Sequence, residues 1–115
     1  MKLFEFEQLE EGIAEVRNIG KICVLINDHV YEQMRIRPKV TKEVLNTLVK
    51  RIPDVRNKFK PLGENTSFKI WSKSLQLGIA LRKRLDKDGY QRVEVITVLD
   101  KPLFDNVDDI VFPVG

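Results

Sequence analysis

The sequence predicts an α+β domain in which N-terminal helices pack on one face of a mainly antiparallel, twisted sheet. Three observations carry this expectation. Val44, Leu45, Leu48, Val49 and Ile52 recur at i, i+1, i+4, i+5 and i+8, an apolar stripe of helical period. From Ser67 onward the apolar period falls to two. Asp86-Lys87-Asp88-Gly89, between two such runs, has the chemistry of a hairpin turn. Helical patterns followed by strand patterns argue for segregated helices and strands.

Along the chain, "KLFEF" alternates apolar and polar residues and fits a short strand or a helix lead-in. Leu9, Ile13 and Val16, at i, i+4 and i+7, predict an amphipathic helix over residues 7–18, with Gly20 as its stop. "KICVLI" (21–26) is short, apolar and β-branched, and predicts a buried strand. Asn27 or Asp28 caps a brief helix, which Pro38 ends by disfavouring helical geometry at Arg37. Thr41 caps the striped helix, and Glu43 near its start and Lys50 and Arg51 near its end suit its dipole. "PDVRNKF" adds a further turn.

Three strands follow as a meander. "SFKIWSK" sets Phe68 and Ile70 on one face and Lys69, Trp71 and Lys73 on the other. "LQLGIALRKR" sets Leu75, Leu77, Ile79 and Leu81 inward, against the Val44–Ile52 stripe, and Gln76, Gly78, Ala80, Arg82 and Arg84 outward. "YQRVEVITVLD" places Val93, Val95, Thr97 and Leu99 together, with Arg92, Glu94, Ile96 and Val98 opposite. Both of its faces are mostly apolar, so it is expected at the centre of the sheet. Residues 109–112 supply an edge strand.

At 115 residues, 43% hydrophobic and 32% charged, the chain fits one domain with one core. No apolar run reaches the roughly 18 residues that span a bilayer, and the acidic start is unlike a signal peptide. Cys23 has no second cysteine to pair with, which suits a buried thiol in a reducing, cytoplasmic compartment. One cysteine and one histidine are too few for a zinc site. Gly-rich phosphate loops, Gly-x-Ser-x-Gly and His-Glu-x-x-His are all absent, so no cofactor or metal is expected.

The net charge of +3 conceals a partition. Residues 1–16 carry −4, residues 17–99 carry 18 Lys and Arg against 8 Asp and Glu, and residues 100–115 carry −3. A centre at +10 is an electrostatic footprint for a polyanion such as nucleic acid. The plainer alternative is a solvated surface whose charges neutralise one another.

Two constellations could carry chemistry. Lys69, Trp71, Lys73, Arg82, Arg84 and Arg92 share the outward sheet face, where cations would hold phosphates and Trp71 would offer a stacking surface. Alternatively, Trp71 belongs to a second core layer beneath the N-terminal segment. His29, Arg35 and Arg37 form the second group. A histidine beside a helix N-terminus is biased toward the neutral form and can act as a general base, while an arginine can stabilise a phosphorane-like transition state. RNA cleavage by its own 2′-hydroxyl needs only such groups. Alternatively, His29 is a solvated first-turn residue and Glu32 pairs with Arg35.

His29-x5-Arg35-x-Arg37, the capped helix "VTKEVLNTLVKRI" and the basic meander ending in "VITVL" resemble small proteins of the RelE/ParE superfamily, above all its BrnT-like branch and phage or mobile-element relatives. The resemblance covers residues 27–101. It divides the single domain 1–115 into an acidic N-terminal extension (1–26), a RelE-like core (27–101) and an acidic tail (102–115). It implies RNA binding on the basic sheet face. For toxin members it implies metal-independent endoribonuclease activity, often at the ribosome, and neutralisation by an antitoxin, here an acidic one. His29 would then be the base, and Arg35, Arg37, Lys69, Arg82, Arg84 and Arg92 would be phosphate ligands. Two departures stand out: the acidic extension, and a last strand without Tyr, His or Lys at its end. The alternative function is a non-catalytic interaction protein that self-associates through its acidic ends and basic centre.

Overall fold

The computed structural model describes residues 11–100 and 110–115. The "KLFEF" segment, Leu9 and most of both acidic ends lie outside the described residues. The described elements are β1 (Ile13–Ile19), β2 (Ile22–Asn27), α1 (Asp28–Ile36), α2 (Lys42–Lys50), a 3₁₀ turn (Ile52–Val55), the one-turn α3 (Arg56–Phe59), β3 (Ser67–Ser72), β4 (Leu77–Lys87), β5 (Tyr90–Leu99) and β6 (Val111–Val114). The architecture is α+β. The sheet runs β1-β2-β5-β4-β3-β6, antiparallel except for the β2–β5 and β3–β6 pairs.

The expected helix over residues 7–18 is corrected: from Ile13 onward the segment is a strand. Ile13 pairs with Asn27 and Glu15 with Ile26, so Ala14 is a bulge. That extra residue puts Ile13 and Val16 on one face although they are three apart, which imitates helical spacing. Gly20 ends no helix. It opens the two-residue Gly20-Lys21 hairpin with φ +59°, as a type II′ turn requires of its first central residue. Asp88 and Gly89, at φ +53° and +81°, form the type I′ turn between β4 and β5.

Asn27 caps α1 by accepting the His29 N–H at 2.9 Å. Thr41 caps α2 by accepting the Val44 N–H at 3.2 Å. Leu45, Leu48 and Val49 of α2 are buried in one cluster with Ile52, Phe59, Phe68, Ile70, Ile79, Leu81, Val93, Val95 and Val98. Leu77, Ile79 and Leu81 face this core as expected, while Leu75 lies in the β3–β4 turn, half-buried. The stacked rings of Phe59 and Phe68, 5.4 Å apart, join α3 to β3.

The facing of β5 is corrected at its far end. Ala80 pairs with Thr97 but Leu81 with Val95, so Ile96 is extruded as a bulge. Val98 therefore joins Val93 and Val95 on the core side, and Thr97 and Leu99 move to the other. β2 stops pairing with β5 at Val95, which leaves Val98 without a strand neighbour on that side. The buried side chain of Gln33 on α1 fills this gap. Its Oε1 accepts the Val98 N–H at 2.8 Å and its Nε2 donates to the Val98 carbonyl at 3.2 Å. A side-chain amide thus completes the backbone pairing that a buried strand needs.

Leu48 is fully buried in the core cluster. Leu48→Ala is expected to destabilise the fold by about 2–5 kcal/mol, measured by denaturant unfolding. A loss under about 1 kcal/mol would require the α2 stripe to face something other than the core.

Candidate functional site

The sheet face opposite the core carries Cys23, Leu25 and Asn27 from β2, Lys69 and Trp71 from β3, Ala80, Arg82 and Arg84 from β4, and Arg92 and Glu94 from β5. Strand alternation and register place them there. Glu94 is its organising group. Its side chain is 2% exposed on a central strand. One carboxylate oxygen, Oε1, accepts Arg82 Nη2 and Arg84 Nη1, each at 2.8 Å. The other, Oε2, accepts Asn27 Nδ2 at 2.9 Å.

This convergence depends on a second bulge in the β4–β5 hairpin. Register shifts between Arg84 and Lys87, so Arg84 faces Arg92 and Arg82 faces Glu94. Carrying the Lys87–Tyr90 register onward without the bulge would set Lys83 opposite Glu94 instead. The Lys83 ammonium is in fact on the core side of the strand, bonded to Asp86 at 2.6 Å and to the Arg84 carbonyl at 3.0 Å.

Burial pushes the Glu94 carboxyl up. Hydrogen bonds from Arg82, Asn27 and Arg84 outweigh that and hold it below its ordinary 4.5. The carboxylate is therefore ionised at neutral pH and fixes two guanidiniums beside it. Arg92 Nη1 donates to the Leu85 carbonyl at 3.3 Å. Cys23 lies opposite Arg92 in the register. Burial raises its thiol pKa more than the neighbouring Arg92 lowers it.

Trp71 does not offer the free ring that base stacking needs. It is 7% exposed and its ring lies over Gly78, where an added Cβ would come within 2.8 Å of indole Cε3. Lys69 sits opposite Ala80 on the same face, and Lys73 is exposed in the β3–β4 turn.

His29, Arg35 and Arg37 are not gathered into one site. His29 is exposed in the first turn of α1, and Arg35 is exposed in the last, about 9 Å further along the axis. Arg37 is committed elsewhere. Its Nη2 pairs with Asp100 at 2.5 Å and its Nη1 donates to the Val98 carbonyl at 3.3 Å, tying the end of α1 to the end of β5. The backbone N–H of His29 bonds instead to the Asn27 side chain that reaches Glu94.

On the core side, Arg17 bridges Glu15 at 2.5 Å and Asn46 at 2.6 Å, and the Tyr31 hydroxyl donates to Glu15. The Arg17 hydrogen bond is the main cause holding Glu15 below the usual carboxylate range. This cluster fastens the outer strand β1 to both helices. Among the described residues, no group of three His, Cys, Asp or Glu is placed to hold a metal ion, and no helix is long and apolar enough to cross a membrane.

No family model, curated protein or solved structure matches the chain.

Glu94→Gln should cost about 3 kcal/mol at neutral pH, because it leaves two arginines without their charge partner. The folded carboxyl titrates below its unfolded value. Its contribution is therefore full above about pH 4.5 and lost as pH falls through the folded pKa. Unfolding measured across pH 2–7 (roughly the range of carboxylate titration) should show a shallower acid decline in the variant than in the wild type. Parallel declines would mean that Glu94 is not the group responsible.

Proposed function

We propose that the sheet face around Glu94 binds the phosphate backbone of RNA. One observation carries this reading: Arg82 and Arg84 converge on a single buried carboxylate with Arg92 on the next rung. Among the described residues, three guanidiniums share this face with one carboxylate. Each bond to Glu94 uses one edge of a guanidinium fork that carries five donors. The Arg82 side chain, 43% exposed, keeps its outer edge toward solvent. Arginines locked by a buried anion lose less freedom when a phosphate arrives, and planar forks suit phosphate oxygens. Lys69 and Lys73 extend the positive surface along β3 toward the turn.

Within this reading the chain is a RelE-like RNA-binding protein, and His29 is its base candidate for metal-independent cleavage. The support for His29 is its exposed place in the first turn of α1, joined through Asn27 to the arginine cluster. Arg35 and Arg37 play no part at that end of the helix. The competing reading, self-association through acidic ends, draws on residues outside those described.

The test is salt-dependent binding to single-stranded RNA. Affinity should fall steeply with salt, and Arg82→Ala and Arg92→Ala should each flatten the log–log slope by about 0.7, the value per phosphate contact on a single strand. No binding near 50 mM salt (about where phosphate contacts are strongest in a routine assay) would sink the RNA reading, and concentration-dependent dimerisation would then favour the interaction protein.

A further inference from the structure

We infer that Asn27 is a positioning residue of this face: its carboxamide locks the first turn of α1, which carries His29, to the carboxylate that holds Arg82 and Arg84. The inference rests on the RNA-binding reading and assigns the residue that sets its geometry.

Asn27 is the last residue of β2, paired with Ile13, and also the N-cap of α1. A cap needs only an acceptor, and Ser, Thr or Asp would serve as well as Asn. Here the donor end is used too. Oδ1 accepts the His29 N–H at 2.9 Å while Nδ2 donates to Glu94 Oε2 at 2.9 Å. Only one orientation of the amide satisfies both partners, since a carboxylate accepts and a backbone N–H donates. Aspartate would cap α1 equally but would set a second carboxylate against Glu94.

The geometry makes three groups move as one. Glu94 is anchored on the central strand, the arginines are held by Oε1, and Oε2 is held by the amide that also holds the helix. The backbone N–H of His29 stands two hydrogen bonds from the Glu94 carboxylate. A phosphate seated on Arg82 would therefore meet α1 at a fixed distance and angle. Phosphate sites benefit from such support because donors held within about 0.5 Å of their working positions need no reorganisation on binding.

Asn27→Ser separates capping from positioning, since serine keeps the cap acceptor and deletes the donor to Glu94. The expected result is a folded protein whose thermal midpoint falls by several degrees, because Glu94 Oε2 loses its donor, and RNA affinity reduced about tenfold, the scale of one lost hydrogen bond to a charged group. The salt slope should be unchanged, because every cation is still present. Asn27→Asp, which also retains the cap, should bind more weakly still. It serves as the measured variant if the serine form does not fold. The titration of the Glu94 carboxyl, followed by NMR, should move upward in Asn27→Ser. Wild-type binding with serine and aspartate variants of equal affinity would overturn this inference and leave the RNA reading standing. Wild-type protein that binds no RNA would overturn both.

Discussion

A carboxylate on the central strand of a sheet, with almost none of its surface in water, must be paired or it will not stay charged. Glu94 is in that position, and much of the open face follows from how it is paired. Two guanidiniums converge on one of its oxygens and an amide occupies the other. Each partner comes from a different structural origin: one arginine from directly across the β4–β5 ladder, one from two residues along it, and the amide from the corner where β2 becomes α1. Through this one group the hairpin, the parallel β2–β5 pair and the first turn of the helix share a common reference point. Removing the charge would loosen three junctions together, so single substitutions within the network should not add independently.

The same network links two uses of arginine that are often set apart. Arg84, 18% exposed, is mainly a structural partner, whereas Arg82 is more open to solvent. Both touch the same carboxylate oxygen. The buried anion thus holds both guanidiniums in place, one facing inward and one at the surface. Arg84 and Arg92 lie directly across from each other, and the bond of Arg84 to Glu94 offsets the repulsion of like charges on facing strand positions.

Much of this was legible from residue pattern alone. The α2 stripe, the Thr41 cap, the Asp88-Gly89 turn, the three-strand meander and an edge strand at the end of the chain all follow from local chemistry. So does the set of basic residues on one sheet face. What local chemistry did not disclose was register. Bulges at Ala14, at Ile96 and between Arg84 and Lys87 each insert one residue, and each reverses the facing of everything beyond it. That is why Ile13 and Val16 imitate a helix and why Val98 lies on the side opposite to the one its spacing predicts. The grouping of His29 with Arg35 and Arg37 followed nearness in sequence, but a helix of nine residues separates its two ends. Glu94 and Asn27 are 67 positions apart, and no periodicity reveals a bond over that span.

Gln33 has a consequence beyond the pairing it completes. Where β2 turns into α1, the central strand β5 continues past its neighbour and leaves a short notch in the middle of the sheet. A bare backbone edge is the template on which a foreign strand adds, and β5 is rich in Val and Ile there. The Gln33 amide occupies both hydrogen-bonding groups of Val98, and Arg37 takes a further share of its carbonyl. The helix therefore works as a cover for the sheet as well as a layer of its core. In any partly opened state in which α1 lifts away, the hydrogen-bonding groups of Val98 lose their partners and a Val- and Ile-rich strand edge is uncovered.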